Sequence, residues 1–341
     1  MSHRRNCFLS CDWGTSRFRL RLVERSTLSV LGGIESPEGA SRLAGANSPE
    51  ARARAFEHYL TSRASELLSE HGADVEDCMV SGMATSRMGW QELPYAGTPV
   101  PLDGSGLVHR MASVHPKSHR PLRVHLISGV CSEENVMRGE ETELIGLAML
   151  HPEITRGRAL LIFPGTHSKH IHISDGVLRS FDTFMTGELF SHLHDLKTLR
   201  DSLDPQHRVK PGSEAFLSGV RRGASAGLFK SLFGIRARRL LQNIPQSDGS
   251  DFLSGMLIAS ELVGIGPAAD VPVIVAATRP LDQLYHDAAT ALGLRNFQVL
   301  DPDSVERAVG VGHLRILENS ENRMQVSAAT YPDARRSQVA E

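Results

Sequence analysis

Two short turns in the sequence join a glycine to hydroxyl side chains directly after an apolar segment. The first is the Gly-Thr-Ser turn at residues 14–16, which follows CFLSCDW, and the second is the Gly-Thr-His-Ser turn at residues 165–168, which follows ALLIFP. A glycine beside small hydroxyl residues presents backbone N–H groups and hydroxyls to one point, an arrangement that binds phosphate. Together the turns predict a site that clamps the phosphate chain of a triphosphate.

Asp12 stands where the first apolar strand is predicted to end. A carboxylate buried there without a cationic partner would cost free energy, so we expect a cation beside it. We predict that Asp12 lies next to the phosphates and is paired by Mg2+, directly or through its waters. The alternative is that Asp12 only initiates an Asx-type turn. The chain contains no GxxxxGK[ST] segment, which excludes a P-loop, and no GxGxxG segment.

An acidic residue falls within the apolar face of a helix predicted over residues 132–150. Glu141 shares that face with four apolar residues between positions 137 and 148, and Glu140 lies at its shoulder. A desolvated carboxylate at the start of a helix is suited to accept the proton of a substrate hydroxyl that attacks a γ-phosphate. Arg138 could instead neutralise the acid in a structural ion pair, or bind a substrate carboxylate through its planar guanidinium.

The composition narrows the class of protein. A chain of 341 residues, 40% hydrophobic and 22% charged, can bury a full core and indicates two domains or lobes. A net charge of −2 and a pI of about 6.8 argue against nucleic-acid or membrane-surface partners and favour a small-molecule ligand. Four cysteines without a CxxC pair indicate a reducing compartment, and the sequence shows no signal or membrane-spanning segment. We therefore expect a cytoplasmic protein.

The hydrophobic periodicity predicts a strand-turn-strand unit that occurs twice. Strands are expected over 7–11 and 18–22 in the first half, and over 159–163, 169–173 and 177–181 in the second. Further strands are predicted over 78–81, 124–128 and in VPVIV, and helices over 49–71, 187–200, 212–243, 250–263 and 281–293. The repetition predicts two lobes that face each other across a cleft, an N-terminal lobe of residues 1–150 and a C-terminal lobe of residues 151–320, followed by a disordered tail of residues 321–341.

Six segments of the chain resemble, in order, the motifs of the 2-dehydro-3-deoxygalactonokinase family: DWGTSRFRLRLV, GMATSRMGW, NVMRGEETELIGL, PGTHSKHIHISDG, FDTFMTGELF and DFLSGMLIASEL. The similarity covers residues 5–315. The resemblance implies an α/β fold with two ribonuclease-H-like lobes of the actin-like ATPase and sugar-kinase superfamily. It also implies ATP-dependent phosphorylation of the C6 hydroxyl of 2-dehydro-3-deoxy-D-galactonate in galactonate catabolism. A kinase for the gluco epimer or another sugar acid, and a non-catalytic sensor of nucleotide and sugar acid, are the alternatives.

The resemblance also implies roles for individual positions. It assigns the nucleotide phosphates to Asp12, Gly14, Thr15, Ser16, Gly165, Thr166, His167, Ser168 and Lys169, and the adenosine to Gly255, Ala277 and Thr278. It assigns the sugar-acid pocket to Met83, Thr85, Ser86, Gly89 and Trp90, with Arg138 for the carboxylate. By analogy with the general base of the superfamily, Glu141 is favoured as the base over Glu140, with Asp12 acting through Mg2+. The implied partner is a small sugar acid, and a homodimer is left open.

Two positions depart from the usual pattern of the family. Ala277 replaces the glycine that is typical of the nucleotide turn, so a methyl group stands where adenine or ribose is expected. His170 replaces the usual tryptophan after the second phosphate turn. His167, His170 and His172 alternate along one predicted strand, but no carboxylate or cysteine completes a metal site there, and we interpret them as cleft or surface residues.

Overall fold

The chain forms two compact units in the computed structural model, which describes residues 6–45, 48–265 and 271–330, with side chains up to residue 322. Unit 1 contains the chain up to Glu153 together with the chain from Arg307 onward, and unit 2 contains Ile154–Glu306. The division after residue 153 lies close to the one predicted after residue 150. Residues 307–320, which the sequence analysis assigns to the second lobe, belong instead to unit 1.

The elements of unit 1 are mostly strands. In chain order they are β1 (Cys7–Trp13), β2 (Phe18–Glu24), β3 (Val30–Ser36), α1 (Ala40–Leu43), α2 (Pro49–His71), β4 (Asp77–Gly82), β5 (Ala96–Gly97), β6 (Val100–Pro101), β7 (His109–Val114), β8 (Leu122–Ile127), β9 (Val130–Cys131), β10 (Val136–Met137) and α3 (Glu140–Leu150). The segment GMATSRMGW between β4 and β5 begins with a single 3-10 turn at Met83–Thr85.

Unit 2 combines strands with longer helices. In chain order they are β11 (Arg158–Phe163), β12 (Ser168–Ser174), β13 (Val177–Phe184), α4 (Thr186–Leu193), α5 (Glu214–Ala226), α6 (Leu228–Gln242), α7 (Gln246–Leu262), β14 (Val273–Val275), α8 (Leu281–Ala291) and β15 (Phe297–Val299). Helix α9 (Pro302–Thr330) follows and continues past Arg307 into unit 1. Within the described ranges, none of the helices has the combination of length and apolar character needed to cross a membrane.

The same strand order occurs in both units. In unit 1 the strands lie in the order β3-β2-β1-β4-β8-β7, and in unit 2 five strands lie in the order β13-β12-β11-β14-β15. The first three strands of each series are antiparallel, and the next two add in parallel. Parallel strands need a crossover connection. Helices supply it between β1 and β4, β11 and β14, and β14 and β15, whereas β4 and β8 are connected by the 3-10 turn and the strands β5, β6 and β7. The repeated topology is ribonuclease-H-like and confirms the predicted α/β fold class.

An aromatic cluster in unit 1 fixes the end of the first hairpin. The fully buried ring of Trp13 on β1 lies 4.7 Å from the ring of Phe18 on β2 and 4.7 Å from the ring of Phe56 on α2, between centroids. Residues alternate between buried and half-buried along the first five positions of β2, as its sequence predicts. Trp13 and Phe18 flank the Gly-Thr-Ser turn, so packing of α2 on the sheet holds both ends of that turn.

Several segments differ from the sequence-based expectation; the helix predicted over 187–200, for example, ends at Leu193. The helix predicted over 132–150 begins only at Glu140, because Ser132 and Asn135 close a turn between β9 and β10 and Gly139 adopts a φ of 113° that favours glycine. Met137 therefore lies in β10. The helix predicted over 212–243 is divided between α5 and α6 at Gly227, whose φ is 74°. Residues 321–330, assigned to a disordered tail, continue α9, and residues 331–341 lie outside the described part of the chain.

Helices α3 and α9 approach each other closely in unit 1. An added Cβ on Gly146 of α3 would overlap the carbonyl oxygen of Ala308 on α9, and one on Gly312 of α9 would overlap the carbonyl oxygen of Thr142 on α3. Backbones that are this close leave no room for a side chain at either crossing position. The contact joins the C-terminal part of unit 1 to the helix that carries Glu141.

Gly146→Ala is expected to lower the free energy of unfolding by about 2–3 kcal/mol, because the new methyl group forces α3 and α9 apart. Urea unfolding followed by circular dichroism measures the change. Gly234→Ala is the control, since an added Cβ at Gly234 in α6 meets nothing within 4 Å and should stabilise the helix by about 0.5–1 kcal/mol. A Gly146→Ala protein as stable as the unmodified chain would contradict the close packing.

Candidate active site

The first glycine turn connects β1 to β2 in unit 1. Its carbonyl oxygens at Gly14 and Thr15 accept hydrogen bonds from the backbone N–H groups of Ala40 (2.9 Å) and Ser41 (3.0 Å) at the start of α1. Gly39 lies directly against the turn, where an added Cβ would overlap the carbonyl oxygen of Thr15. The side chains of Thr15 and Ser16 are exposed. The turn therefore has its carbonyls bound to the protein and its hydroxyls open to a ligand.

The second glycine turn, between β11 and β12 in unit 2, is supported in the same way. The carbonyl oxygens of Gly165 and Thr166 accept hydrogen bonds from the N–H groups of Gly187 (3.2 Å) and Glu188 (3.0 Å) at the start of α4. The Cβ position of Gly187 lies against the carbonyl of Gly165. Both turns thus rest on a glycine at a helix start, which the sequence shows as PEGAS and MTGEL. The sequence analysis did not use this signal.

Asp12 lies within β1 rather than at its end. It is opposite Arg19 of β2, whose Nη1 donates to Asp12 Oδ2 at 2.8 Å, and the Asp12 side chain is 25% exposed. In this structure the cation beside Asp12 is therefore Arg19. The other oxygen, Oδ1, has no hydrogen bond within the described ranges, and an Asx turn at Asp12 is not observed there.

Glu141 is buried, as its position in the apolar face predicts. Its side chain is 2% exposed; Oε2 accepts the N–H of Gly139 at 2.7 Å and Oε1 accepts the hydroxyl of Thr142 at 3.1 Å. Burial, and next the negative charge of Glu140, raise the pKa of Glu141 to about 8. Its carboxyl thus caps the start of its own helix, and no ion pair with Arg138 forms.

Two further acids of α3 are half-buried. Glu140 Oε2 accepts the backbone N–H of Arg138 at 3.0 Å. Burial raises the pKa of Glu143 to about 8, and the negative charges of Asp12 and Glu140 add to this shift. Burial and the charges of Asp12 and Glu140 therefore disfavour a further negative charge at Glu143. The sequence analysis did not consider Glu143, although the run GEETE places three acids within the first turn of α3.

A cavity of about 500 Å3 lies in unit 1 beside the GMATSRMGW segment. Three of the residues predicted for the sugar-acid pocket line it, namely Met83, Ser86 and Arg138. Its other lining residues are Ala44, Arg52, Arg87, Met88, Glu92 and Tyr95. Three arginines and one glutamate give the cavity an excess of positive charge, which suits an anionic ligand.

Arg138 is held by several groups of the cavity wall. Its Nη1 donates to the carbonyl oxygen of Thr85 at 2.7 Å and to Thr85 Oγ1 at 2.6 Å, and its Nη2 donates to the carbonyl oxygen of Leu93 at 3.3 Å. The guanidinium lies 4.2 Å from the ring centroid of Tyr95. These contacts show that Arg138 holds the surrounding segment together.

The other residues predicted for this pocket lie behind its wall. Thr85 is fully buried, and its hydroxyl also bonds to the carbonyl oxygen of Ile127 at 2.8 Å. Trp90 packs into the hydrophobic core of unit 1. Gly89 approaches the carbonyl oxygens of Met83 and Ala84 where no side chain fits, and its own carbonyl accepts Arg52 Nε at 2.9 Å. These residues shape the segment but do not line the cavity.

A second cavity, of about 610 Å3, lies in unit 2 beside the second glycine turn. It is lined by Gly165, Thr186, Gly187, Phe190, His207, Arg208, Val209, Ser254, Leu257, Ile258, Arg279, Pro280, Leu281, Leu284 and Tyr285. The apolar side chains form most of its wall, and a few polar groups stand at the edge. A cavity of this size with such a lining is typical of a small-molecule site.

The residues predicted for adenosine lie next to this cavity but do not line it. Gly255 faces α5, where an added Cβ would overlap the carbonyl oxygen of Phe216. Ala277 is buried in the core of unit 2, and Thr278 is exposed. Their neighbours Ser254 and Arg279 line the cavity instead. The residues that line the cavity are therefore displaced by one or two positions along the chain from the residues predicted for adenosine.

Side chains of the second turn are mostly bound by the protein. His167 Nε2 pairs with Glu188 Oε2 at 2.6 Å, and Ser168 is fully buried and donates to Glu261 Oε1 at 2.6 Å. Lys169 is buried, with its Nζ 3.5 Å from the carbonyl oxygen of His167. Only the Thr166 hydroxyl group of this turn is both exposed and a small donor. The expectation of direct phosphate contact therefore fits Thr166 and the turn's backbone better than Ser168.

The sequence model of the 2-keto-3-deoxy-galactonokinase family matches residues 12–312. The chain belongs to this family. A protein of Rhizobium meliloti, described as a probable 2-dehydro-3-deoxygalactonokinase, is 31% identical over 88% of this chain and 94% of its own. The 2-dehydro-3-deoxygalactonokinase of Escherichia coli is 29% identical over 84% of this chain and 90% of its own. A crystal structure from Sinorhizobium meliloti, provisionally described as the same kinase, superposes with a TM-score of 0.73 at 29% identity, covering 98% of this chain and all of that one.

Two buried acids of α7 near the second cavity were missed by the sequence reasoning. Asp251 in α7 is buried and accepts His207 Nε2 at 2.8 Å and Ser213 Oγ at 2.8 Å, which fixes the segment at the edge of the second cavity. Glu261, in the same helix, is also buried. The signal was present in the motif DFLSGMLIASEL, because two acids within a mostly apolar helix require partners inside the protein.

Glu141 is expected to make the free energy of unfolding fall as pH rises. The pKa of Glu141 is 4.5 in the unfolded chain and about 8 in the folded protein. Between these two pH values the folded protein retains a proton on Glu141 that the unfolded chain has lost. Stability from this group is therefore complete below pH 4.5 and is lost as pH rises through 8. The free energy of unfolding of Glu141→Gln, measured relative to that of the unmodified protein, should increase by roughly 3–4 kcal/mol from pH 5 to pH 8. Denaturant unfolding at both pH values measures it, and a pH-independent difference would contradict the assignment.

Proposed function

We propose that this protein transfers the γ-phosphoryl group of ATP to the C6 hydroxyl of 2-dehydro-3-deoxy-D-galactonate. Membership of the 2-keto-3-deoxy-galactonokinase family and the names of its relatives support this reaction. The observation that carries the proposal is the arginine-lined cavity of unit 1. Its excess of guanidinium groups suits the carboxylate that distinguishes a sugar acid from a neutral sugar.

The cavity of unit 2 supports binding of ATP. Its apolar wall, with Leu257, Ile258 and Leu284, suits the faces of an adenine ring. Gly165 of the second turn also lines the cavity, so a nucleotide bound there has its phosphates next to the backbone N–H groups of that turn. We infer that the methyl group of Ala277 does not crowd the base, because Ala277 packs into the core of unit 2.

The acids near the first turn support binding of Mg2+. Asp12 has one oxygen without a hydrogen bond within the described ranges, and its charge raises the pKa of Glu143. An excess of negative charge at carboxylate oxygens is what a hard divalent cation neutralises, and Mg2+ is commonly held by one or two carboxylates together with substrate phosphates. Asp12 would therefore hold the ion, directly or through water. When bound, Mg2+ would offset the charge of the transferring phosphoryl group.

The contacts of the two candidate residues favour Glu140 as the general base over Glu141. Both carboxyl oxygens of Glu141 are engaged in capping its own helix, and the side chain is 2% exposed, which keeps it from a substrate hydroxyl. Glu140 is half-buried and is the first residue of α3. A base must come within hydrogen-bond distance of the proton it accepts, and Glu140 meets this requirement more readily.

An ADP-release assay with Mg-ATP tests the reaction. We expect turnover with 2-dehydro-3-deoxygalactonate and much less with its gluco epimer, the parent aldonates or free sugars. Asp12→Ala should lower kcat by at least roughly 100-fold, because the phosphates lose the ion beside them. Glu35→Ala, which removes an exposed acid from β3, two strands away from Asp12, should keep full activity. Turnover of the gluco epimer alone, or of none of these acids, would contradict the proposal.

Glu140→Gln is expected to lower kcat by about 100-fold or more while the KM for ATP changes little, because only proton transfer is affected. Glu141→Gln serves as the matched variant and should retain most of kcat. Steady-state kinetics at saturating ATP, with circular dichroism to verify folding, distinguishes the two. The reverse pattern would identify Glu141 as the base.

A further inference from the structure

Glu261 is a buried carboxylate at the end of α7 with four hydrogen-bond donors around it. Ser168 Oγ donates to Oε1 at 2.6 Å, and His170 Nε2 lies 2.8 Å from the same oxygen. Thr186 Oγ1 donates to Oε2 at 2.5 Å, and Tyr285 Oη donates to it at 2.8 Å. An ionised carboxylate accepts hydrogen bonds only and has about four acceptor sites, so these partners satisfy it completely.

These donors keep Glu261 in its charged form. Burial alone would raise the pKa of the carboxyl group, but hydrogen bonds and charge from His170, together with Ser168 and Thr186, hold it below its ordinary value. Burial and the charge of Glu261 in turn raise the pKa of the Tyr285 hydroxyl, so that it remains a donor. Glu261 therefore provides a fixed negative charge inside unit 2.

Two of the four donors lie on β12, directly after the second glycine turn, and the other two lie in the wall of the unit 2 cavity. Ser168 ends the turn, and Thr186 begins α4, whose next two N–H groups bind the carbonyls of the turn. Thr186 and Tyr285 also line the cavity. Glu261 itself does not line it. One carboxylate thus connects the turn, the helix start that supports it and α8 on the far side of the cavity.

We propose that Glu261 is a positioning residue for the nucleotide, which fixes the second turn and the cavity wall in one arrangement. The identity of the nucleotide rests on the proposed function. Because Glu261 reaches the cavity only through its partners, its removal should weaken nucleotide binding without removing any group that touches the nucleotide. His170 has a role in this arrangement as the donor that, with Ser168, occupies Oε1.

The test is direct binding of a fluorescent ATP analogue with Mg2+, without sugar acid. Glu261→Gln should raise the Kd roughly tenfold, because the amide cannot accept from two of the four donors. In the kinase assay, the KM for ATP should rise while the KM for the sugar acid changes less than about twofold, a difference that general destabilisation would not produce.

Asp77→Asn is the matched control. Asp77 is a buried carboxylate of unit 1 that pairs with Arg25 (2.8 Å), Arg123 (2.9 Å) and His125 (2.7 Å). Its replacement should reduce stability but leave the Kd of the ATP analogue within about twofold of the unmodified protein. Equal weakening of nucleotide binding by both variants would overturn the inference, because it would show a general effect of losing a buried charge.

Ser168→Ala keeps the inference testable if Glu261→Gln does not fold. The Ser168 hydroxyl is fully buried and does not line the cavity, so its loss reaches the nucleotide only through its partners Glu261 and Tyr285, which are themselves bonded to each other. We expect the Kd to rise at least about threefold, and to rise little further when Ser168→Ala is added to Glu261→Gln. An unchanged Kd in Ser168→Ala would overturn the inference.

Failure of the proposed function has a different outcome. If the unmodified protein binds the ATP analogue but phosphorylates no sugar acid, the proposed reaction is wrong, and the Kd values of the variants still decide the role of Glu261. If the sugar acid is phosphorylated and Glu261→Gln binds the analogue as tightly as the unmodified protein, the reaction stands and the inference is overturned. No binding by the unmodified protein overturns both.

Discussion

The carbonyl oxygens of the two glycine turns impose the constraint on which the rest of both units depends. A turn that offers its N–H groups to a ligand has its carbonyls on the opposite side, where they need donors from the protein. The start of a helix has a series of N–H groups without partners in the helix, and it can supply these donors. Each unit therefore sets a helix start against its turn, at Ala40 and at Gly187, and a glycine is required at the point of contact.

Three acids show how the surroundings, rather than the residue type, decide what a carboxyl group does. Asp12 is partly exposed and paired with Arg19 through Oδ2, and its Oδ1 is open to a second cation. Glu141 is buried with two donors, Gly139 N–H and the Thr142 hydroxyl, and burial and the charge of Glu140 raise its pKa. Glu261 is equally buried, but four donors compensate for the loss of water and its pKa is lowered. Hydrogen bonds to the charged form thus explain why the pKa of Glu261 is lowered while that of Glu141, which is equally buried, is raised.

The hairpins and most helices could be predicted from the sequence, because their hydrophobic period comes from neighbours along the chain. The same local reasoning wrongly predicted a helix that runs through Gly139, because hydrophobic periodicity does not reveal the backbone conformation of Gly139, which is incompatible with a helix. Gly255 shows a different limit. A glycine in a motif can make room for a ligand or for a neighbouring helix. At Gly255 the position of α5 shows that the room is for the helix. The partners of Glu261 come from β12, α4 and α8, which are distant in sequence, so their meeting depends on the tertiary fold.

The division of the chain places unit 2 inside the sequence of unit 1. Unit 2 is one continuous segment, whereas unit 1 is made of two segments, and the glycine contact between α3 and α9 joins them. A ribosome therefore releases all of unit 2 before it has supplied the last helix of unit 1. During synthesis, the face of α3 that packs against α9 therefore stays exposed until unit 2 has been synthesised and α9 follows it. Unit 1 is thus begun before unit 2 but completed after it, when the glycines let α9 pack closely against α3.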